Sequence, residues 1–75
     1  MTERVPTLKA RDLIRVLRRI GFIQTRSKGS HFIFKHPDGR MTSVPVHSGE
    51  DIGRGLLYDI LEDVRLKAEE LRELL

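Results

Sequence analysis

The chain has 75 residues, 39% of them hydrophobic and 33% charged, enough for one small core and no second domain. It has no cysteine, which excludes disulfides and cysteine-ligated zinc and makes a reducing cytoplasm the expected home, and no apolar run approaches the ~20 residues of a membrane span. The net charge of +3 is unevenly spread: residues 1–47 hold ten Lys/Arg and three Asp/Glu, a balance of +7, whereas residues 48–75 hold four and eight, a balance of −4. A basic front half points to a polyanionic partner, and an acidic back half to a solvated or partner-facing scaffold.

Residues 1–7 read as an N-terminal arm, and Met1 to Pro6 carries none of the apolar core of a signal peptide. Helical periodicity then runs from Lys9 to Ile20, with Leu13, Leu17 and Ile20 on one face and Ile14 beside them. Gly21 stands where a left-handed helix cap is expected. The opposite face bears Arg11, Arg15 and Arg18 at the same spacing, with Arg19 adjacent and Asp12 the sole acid among them. One helix thus shows apolar side chains to a core and arginines to the outside.

From Phe22 the period becomes two. Phe22–Arg26 and His31–His36 read as strands joined by the loop Ser27-Lys28-Gly29-Ser30, and Pro37-Asp38-Gly39 turns the chain into a third strand, Met41–Val46. Such short loops make antiparallel neighbours. In the second strand Phe32 and Phe34 share one face and His31, Ile33 and Lys35 the other. With the phenylalanines under the helices, His31 falls on the open face or at the strand's edge. Ser48-Gly49-Glu50-Asp51 resembles a capping box, although Gly53 and Gly55 leave the start of the next helix open. Leu57, Ile60, Leu61 and Val64 mark that helix, and Ala68 to Leu75 is amphipathic, either continuing it or forming another. The fold class is α+β, α-β-β-β-α with a three-stranded antiparallel sheet and an optional extra C-terminal helix, in a single domain over residues 1–75.

Three histidines are the side chains whose ordinary pKa lies near neutrality. Their spacings of five and eleven residues, without cysteine or a carboxylate pair nearby, match no common zinc pattern, so neither a metal nor another cofactor is expected. His36, just before Pro37, reads as a solvated turn residue. His47 ends the third strand and either caps it, bonds a backbone carbonyl or lines a site. His31 follows the cationic, hydroxyl-bearing Lys28-Gly29-Ser30 and opens a rigid strand, a setting suited to proton transfer beside a phosphate. Ser30 is a poor nucleophile partner for His31, since adjacent strand residues point to opposite faces. There is no Gly-x-Ser-x-Gly elbow and no Walker loop.

Leu13 to Phe22, ending Ile20-Gly21-Phe22, then Gly29-Ser30-His31-Phe32, Pro45-Val46-His47 and Gly55-Leu56-Leu57 through Ile60-Leu61 resemble the HicA (YcfA-like) toxin family. The resemblance covers nearly the whole chain, from about Leu8 to Leu75. It implies a fold like a double-stranded-RNA-binding domain, an mRNA interferase activity, a single essential histidine at His31 and a neutralising antitoxin, HicB. Two positions depart from the family pattern: Gly55-Leu56 stands where Gly-Thr is frequent, and Val64-Arg65-Leu66 where a glycine-bearing turn is frequent. The second departure favours a continuous C-terminal helix.

The chemistry so implied suits these residues without a metal. RNA cleavage by its own 2′-hydroxyl needs a proton acceptor, a proton donor and cations around the phosphorane-like transition state. His31 supplies one proton role, Lys28, Arg26 and the Gly29–Ser30 amides supply charge and hydrogen bonds, and His47 or water supplies the other proton role. Arg11, Arg15, Arg18, Arg19, Arg26, Lys28 and Lys35 form the expected RNA-binding set, holding phosphates by shape without reading bases. The arginine helix, the lysine loop and His31 are expected to make one face, covered in the complex by acidic antitoxin side chains. A homo-oligomer is compatible with these features. A non-catalytic RNA-binding module would use the same basic face, and a pure protein-interaction domain would have no affinity for RNA.

Overall fold

The computed structural model describes residues 7–46 and 51–75. Eight elements follow one another: β1 (Leu8–Lys9), α1 (Ala10–Arg19), β2 (Ile23–Lys28), β3 (His31–Lys35), β4 (Met41–Pro45), β5 (Asp51–Ile52), α2 (Arg54–Val64) and α3 (Ala68–Leu74). β2, β3 and β4 form an antiparallel sheet in that order, and β1 pairs with β5 in a two-residue ladder. The main order, α-β-β-β-α, is the one the sequence predicts, with α3 as the extra C-terminal helix. The β1–β5 ladder, closed by a Lys9–Asp51 ion pair at 3.1 Å, is too short to leave a periodic signal.

The core lies on one side of the sheet. Leu13, Val16 and Leu17 of α1, Phe34 and Val44 of the strands, Leu57, Ile60 and Val64 of α2 and Leu71 of α3 are all buried together. Each large apolar side chain so buried contributes roughly 1.5–3 kcal/mol. The other side of the sheet has no helix over it among the described residues, and Ile23 and Met41 stand 63% and 53% exposed there.

Both long helices end in the same hydrogen-bonded motif. At the end of α1 the Phe22 N–H donates to the Leu17 carbonyl and the Gly21 N–H to the Arg18 carbonyl, with Gly21 at φ +103°. At the end of α2 the Leu66 N–H donates to the Leu61 carbonyl and the Arg65 N–H to the Glu62 carbonyl. These are Schellman caps, which need a left-handed residue one position past the helix. Gly21 fills that position as the sequence predicts. At α2 it is filled by Arg65, at φ 57° and ψ 45°, so of the two arrangements the sequence leaves open, one helix or two, the chain adopts the second. Leu66, the residue after Arg65, packs against the core that contains Leu61, and this burial offsets the missing glycine. α3 then starts with the Lys67 N–H donating to the Glu70 side chain at 2.8 Å.

Three further expectations are corrected. β2 runs on to Lys28, which pairs with His31, so the hairpin loop is only Gly29-Ser30, with Gly29 at φ +58°. A bulge at Thr25, between Gln24 and Arg26, accommodates the additional strand residue. Asp51 is a strand residue facing Lys9 and does not cap α2, whose N-cap is Gly53. Ser48, Gly49 and Glu50 of the capping-box pattern lie outside the described residues.

His36 is the third correction. It is not a solvated turn residue, its side chain being only 20% exposed. Its Nε2 lies 3.1 Å from the Ile20 carbonyl, and its ring meets Phe22 edge-on, centroids 5.1 Å apart. Its Nδ1 lies 3.1 Å from the Asp38 backbone N–H and 3.0 Å from Asp38 Oδ1, and Nε2 is the donor to the Ile20 carbonyl, which can only accept. Beside it Asp38 accepts from the Arg40 backbone N–H at 3.0 Å and from its Nε at 2.8 Å. Arg40 also stacks over Phe22 and donates to the Val64 carbonyl at the end of α2. Thr42 adds a hydroxyl bond to Asp63 at 3.0 Å. The backbone bond from Arg40 is the main cause holding the Asp38 carboxyl below its ordinary pKa, with the Arg40 guanidinium and His36 assisting.

Three measurements follow from these contacts. A Cβ at Gly21 would sit 2.8 Å from His36 Nε2, so Gly21→Ala is expected to cost about 1–3 kcal/mol in urea unfolding, part of it recovered in a His36→Ala background. Arg65→Gly relieves the left-handed strain and is expected to stabilise by about 0.5–1 kcal/mol. Because the Asp38 pKa is lowered by folding, its contribution is fully present above the unfolded value of about 3.9 and is lost as pH falls through the lower folded value. Asp38→Asn should therefore flatten the acid limb of the stability–pH curve below about pH 4.

Candidate functional site

Strand alternation divides the basic residues between two surfaces. On the open side of the sheet the register sets His31 between Lys28 and Pro45, Ile33 between Arg26 and Ser43, and Lys35 between Ile23 and Met41. Directly opposed strand residues have Cβ atoms about 4.5–5.5 Å apart, so the Lys28 ammonium can reach the exposed His31 imidazole, and Arg26 flanks the pair. Lys35 lies four residues along β3 from His31, roughly 13 Å at the strand rise, and belongs to the far end of this face. It lines a shallow groove of about 460 Å³ with Thr25, Arg26, Ile33 and Met41.

The hairpin positions the histidine. Gly29 at its tip meets nothing within 4 Å of an added Cβ, so a ligand's backbone has access there. The Ser30 carbonyl accepts from the Val46 N–H at 2.6 Å, which extends the β3–β4 pairing past Pro45 and fixes the start of β3. His31 has no hydrogen-bond partner among the described residues, leaving both ring nitrogens available to a ligand. His47, the expected second proton-transfer residue, lies outside the described residues.

On the helix side of the sheet, the arginine stripe overhangs a groove of about 630 Å³. Its apolar residues are Ile14, Phe32 and Val46, and Arg11, Arg15, Arg18 and Arg19 surround them. Arg15 is partnered by Asp12 at 3.1 Å, Arg18 reaches Gln24 at 3.5 Å, and Arg19 donates to the Leu74 carbonyl at 3.3 Å, tying α3 to α1. The expected single face of arginine helix and His31 is thus corrected. Phe32 turns its side chain toward α1, so His31, next to it in the strand, turns away from α1.

The two surfaces are joined around the edge of the sheet. A third groove, about 580 Å³, follows β2 from Arg18 past Gln24 and Thr25 to Arg26. It shares Arg18 with the helix-side groove and Thr25 and Arg26 with the open-face groove. β2 is an edge strand, and its bulge at Thr25, where the hydroxyl donates to the Ile33 carbonyl at 3.4 Å, bends it along this path. A continuous cationic band therefore runs from α1 to the neighbourhood of His31. Sequence reasoning finds the cations of this band but not its route, which depends on which sheet face the helices cover.

Among the described residues, no three His, Asp or Glu side chains gather as a metal site would require, and no helix is long and apolar enough to cross a membrane.

These features define a small α-β-β-β-α domain whose cationic surface surrounds an exposed strand histidine. The family model described as HicA toxin of bacterial toxin-antitoxin matches residues 10–66, from the first residue of α1 to the Schellman cap of α2, and the chain belongs to that family. It is accordingly one half of a toxin–antitoxin pair. No curated protein matches the chain.

Proposed function

We propose that this toxin is an endoribonuclease, an mRNA interferase working without a metal ion, in which His31 is the general acid or base. The observation that supports this most is the placement of His31. It is exposed on a rigid strand, unpartnered among the described residues, opposite Lys28, and at the end of a cationic band able to hold a polyanion.

In the proposed reaction the 2′-hydroxyl of one nucleotide attacks its own 3′-phosphate. The O2′–P bond forms, the P–O5′ bond breaks, and the products are a 2′,3′-cyclic phosphate and a 5′-hydroxyl. His31 either takes the 2′-hydroxyl proton or gives one to the leaving O5′, a role worth ~10²–10⁴-fold. Lys28 and Arg26 balance the charge that grows on the equatorial phosphate oxygens, where a cation acts more strongly than on the ground-state diester. His47 or water fills the remaining proton role. Arg11, Arg15, Arg18 and Arg19 hold the RNA away from the scissile bond, and the reaction takes place in the cytoplasm. A HicB-type antitoxin silences the toxin by laying acidic side chains over the open sheet face.

His31→Ala is expected to lower cleavage of purified RNA by ~10²–10⁴-fold and to abolish growth arrest on expression. Its salt-dependent RNA binding should persist, because the cations are untouched. Wild-type protein freed of its antitoxin that binds RNA but never cuts it would overturn the enzyme reading in favour of a binding module.

A further inference from the structure

Of the three phenylalanines, Phe22 and Phe34 are fully enclosed by the core. Phe32 lies on the same side of the sheet as Phe34 but is only partly buried, packed against the edge of the core. It forms the floor of the helix-side groove with Ile14 and Val46. An aromatic left partly open on the covered face of a sheet is unusual, since helices ordinarily close over it. Here α1 stops short of sealing the slot and instead hangs arginines over its mouth.

The ligand suited to such a slot has a flat apolar part and a regular series of negative charges. Arg11, Arg15 and Arg18 follow one another along α1 at axial steps of about 6 and 4.5 Å, comparable with the separation of successive phosphates along a nucleic-acid strand. The volume of about 630 Å³ is ample for a nucleobase and falls in the usual range for small-ligand sites. A paired base cannot enter, because its faces are taken up by stacking within the duplex. An unpaired one can, stacking on Phe32 or on a guanidinium plane as bases do in single-strand recognition.

We propose that the groove between α1 and the sheet is a base-binding subsite for single-stranded RNA, with Phe32 as its stacking platform. This rests on the reading of the toxin as RNA-directed and deepens it. The strand lies with one base unstacked in the slot and its phosphates on the arginines. From there it passes Arg18 and follows the β2 edge to Arg26, which delivers a bond several nucleotides away to His31. The subsite adds base contact to what the arginine stripe alone would hold by charge. The substrate is accordingly unpaired RNA and not duplex.

Binding is measured in a His31→Ala background, so that the RNA stays intact and the result is independent of cleavage. The probes are a labelled oligo(A) RNA of about ten nucleotides and a duplex of the same length. The chain has no tryptophan, so Phe32→Trp introduces a single indole fluorophore at the platform. Its emission should be quenched by the single strand with the same midpoint as the anisotropy titration. Phe32→Leu, which keeps the slot apolar but removes the ring, should weaken the single strand by roughly tenfold and leave the slope of affinity against salt unchanged. Arg15→Gln should instead lower that slope by about 0.7. Thermal unfolding of both Phe32 variants checks that the fold is retained.

Tighter binding of the single strand than of the duplex, with quenching and the Phe32→Leu loss, supports the subsite. Single-strand binding without quenching, or with Phe32→Leu unchanged, overturns it while leaving the nuclease reading intact. Quenching by the purified antitoxin but not by RNA overturns it in favour of a protein-docking groove. Cleavage is read separately on the wild-type chain, so loss of the nuclease reading would be seen there and not in these titrations.

Discussion

The contact between Gly21 and the His36 ring is where the two halves of the fold are locked together. The imidazole lies against the glycine, bonds the Ile20 carbonyl and packs on Phe22, so the end of α1 is fixed to the turn that follows β3. Asp38 holds Arg40 in that turn, and Arg40 reaches over Phe22 to the last carbonyl of α2. Three segments distant in sequence therefore meet at a single cluster of polar bonds around one aromatic ring. A chain of 75 residues without a disulfide has few other means of setting the angle of its first helix on the sheet. That angle decides whether the arginines lie over the slot above Phe32 or swing clear of it.

A sheet covered on one side only has consequences for function. The covered side supplies the core and the open side supplies an accessible, rigid platform on which a histidine and its cations are spaced by register alone. Because side chains alternate, His31 and Phe32 cannot serve the same surface, and a ligand touching both must pass round an edge of the sheet. The edge strand β2 is bent by its bulge and lined by Arg18 and Arg26. An unpaired sheet edge is ordinarily a liability that charged side chains keep from pairing with another chain. Here those charges also connect the grooves on the two sides of the sheet.

The two Schellman caps show how differently local signals can be written for one geometry. Gly21 announces its turn because glycine tolerates φ +103° without a Cβ penalty. Arg65 adopts the same handedness with no such announcement. Its turn is favoured by Leu66, whose N–H returns to the Leu61 carbonyl and whose side chain packs against the core, so burial overrides backbone preference. The residue types leave one helix or two open there, because what decides between them is apolar and tertiary. The setting of His36 is hidden in the same manner. Nothing next to it in the chain indicates that Ile20 and Phe22 will be its neighbours.

The sequence by itself determined the two main helices, the three-stranded sheet, their order and the inventory of chemistry. Periods of 3.6 and two, the glycine after α1 and the turn after β3 are local constraints, and strand alternation is enough to separate His31 from the phenylalanines. The family, too, is legible in short motifs such as Gly29-Ser30-His31-Phe32. Only the tertiary structure decided which face the helices cover, where α2 ends, that His36 is a tie between segments, and that the basic half forms a band over two faces. These depend on contacts between residues far apart in the chain, where burial and hydrogen bonding select among arrangements that local propensity leaves equivalent.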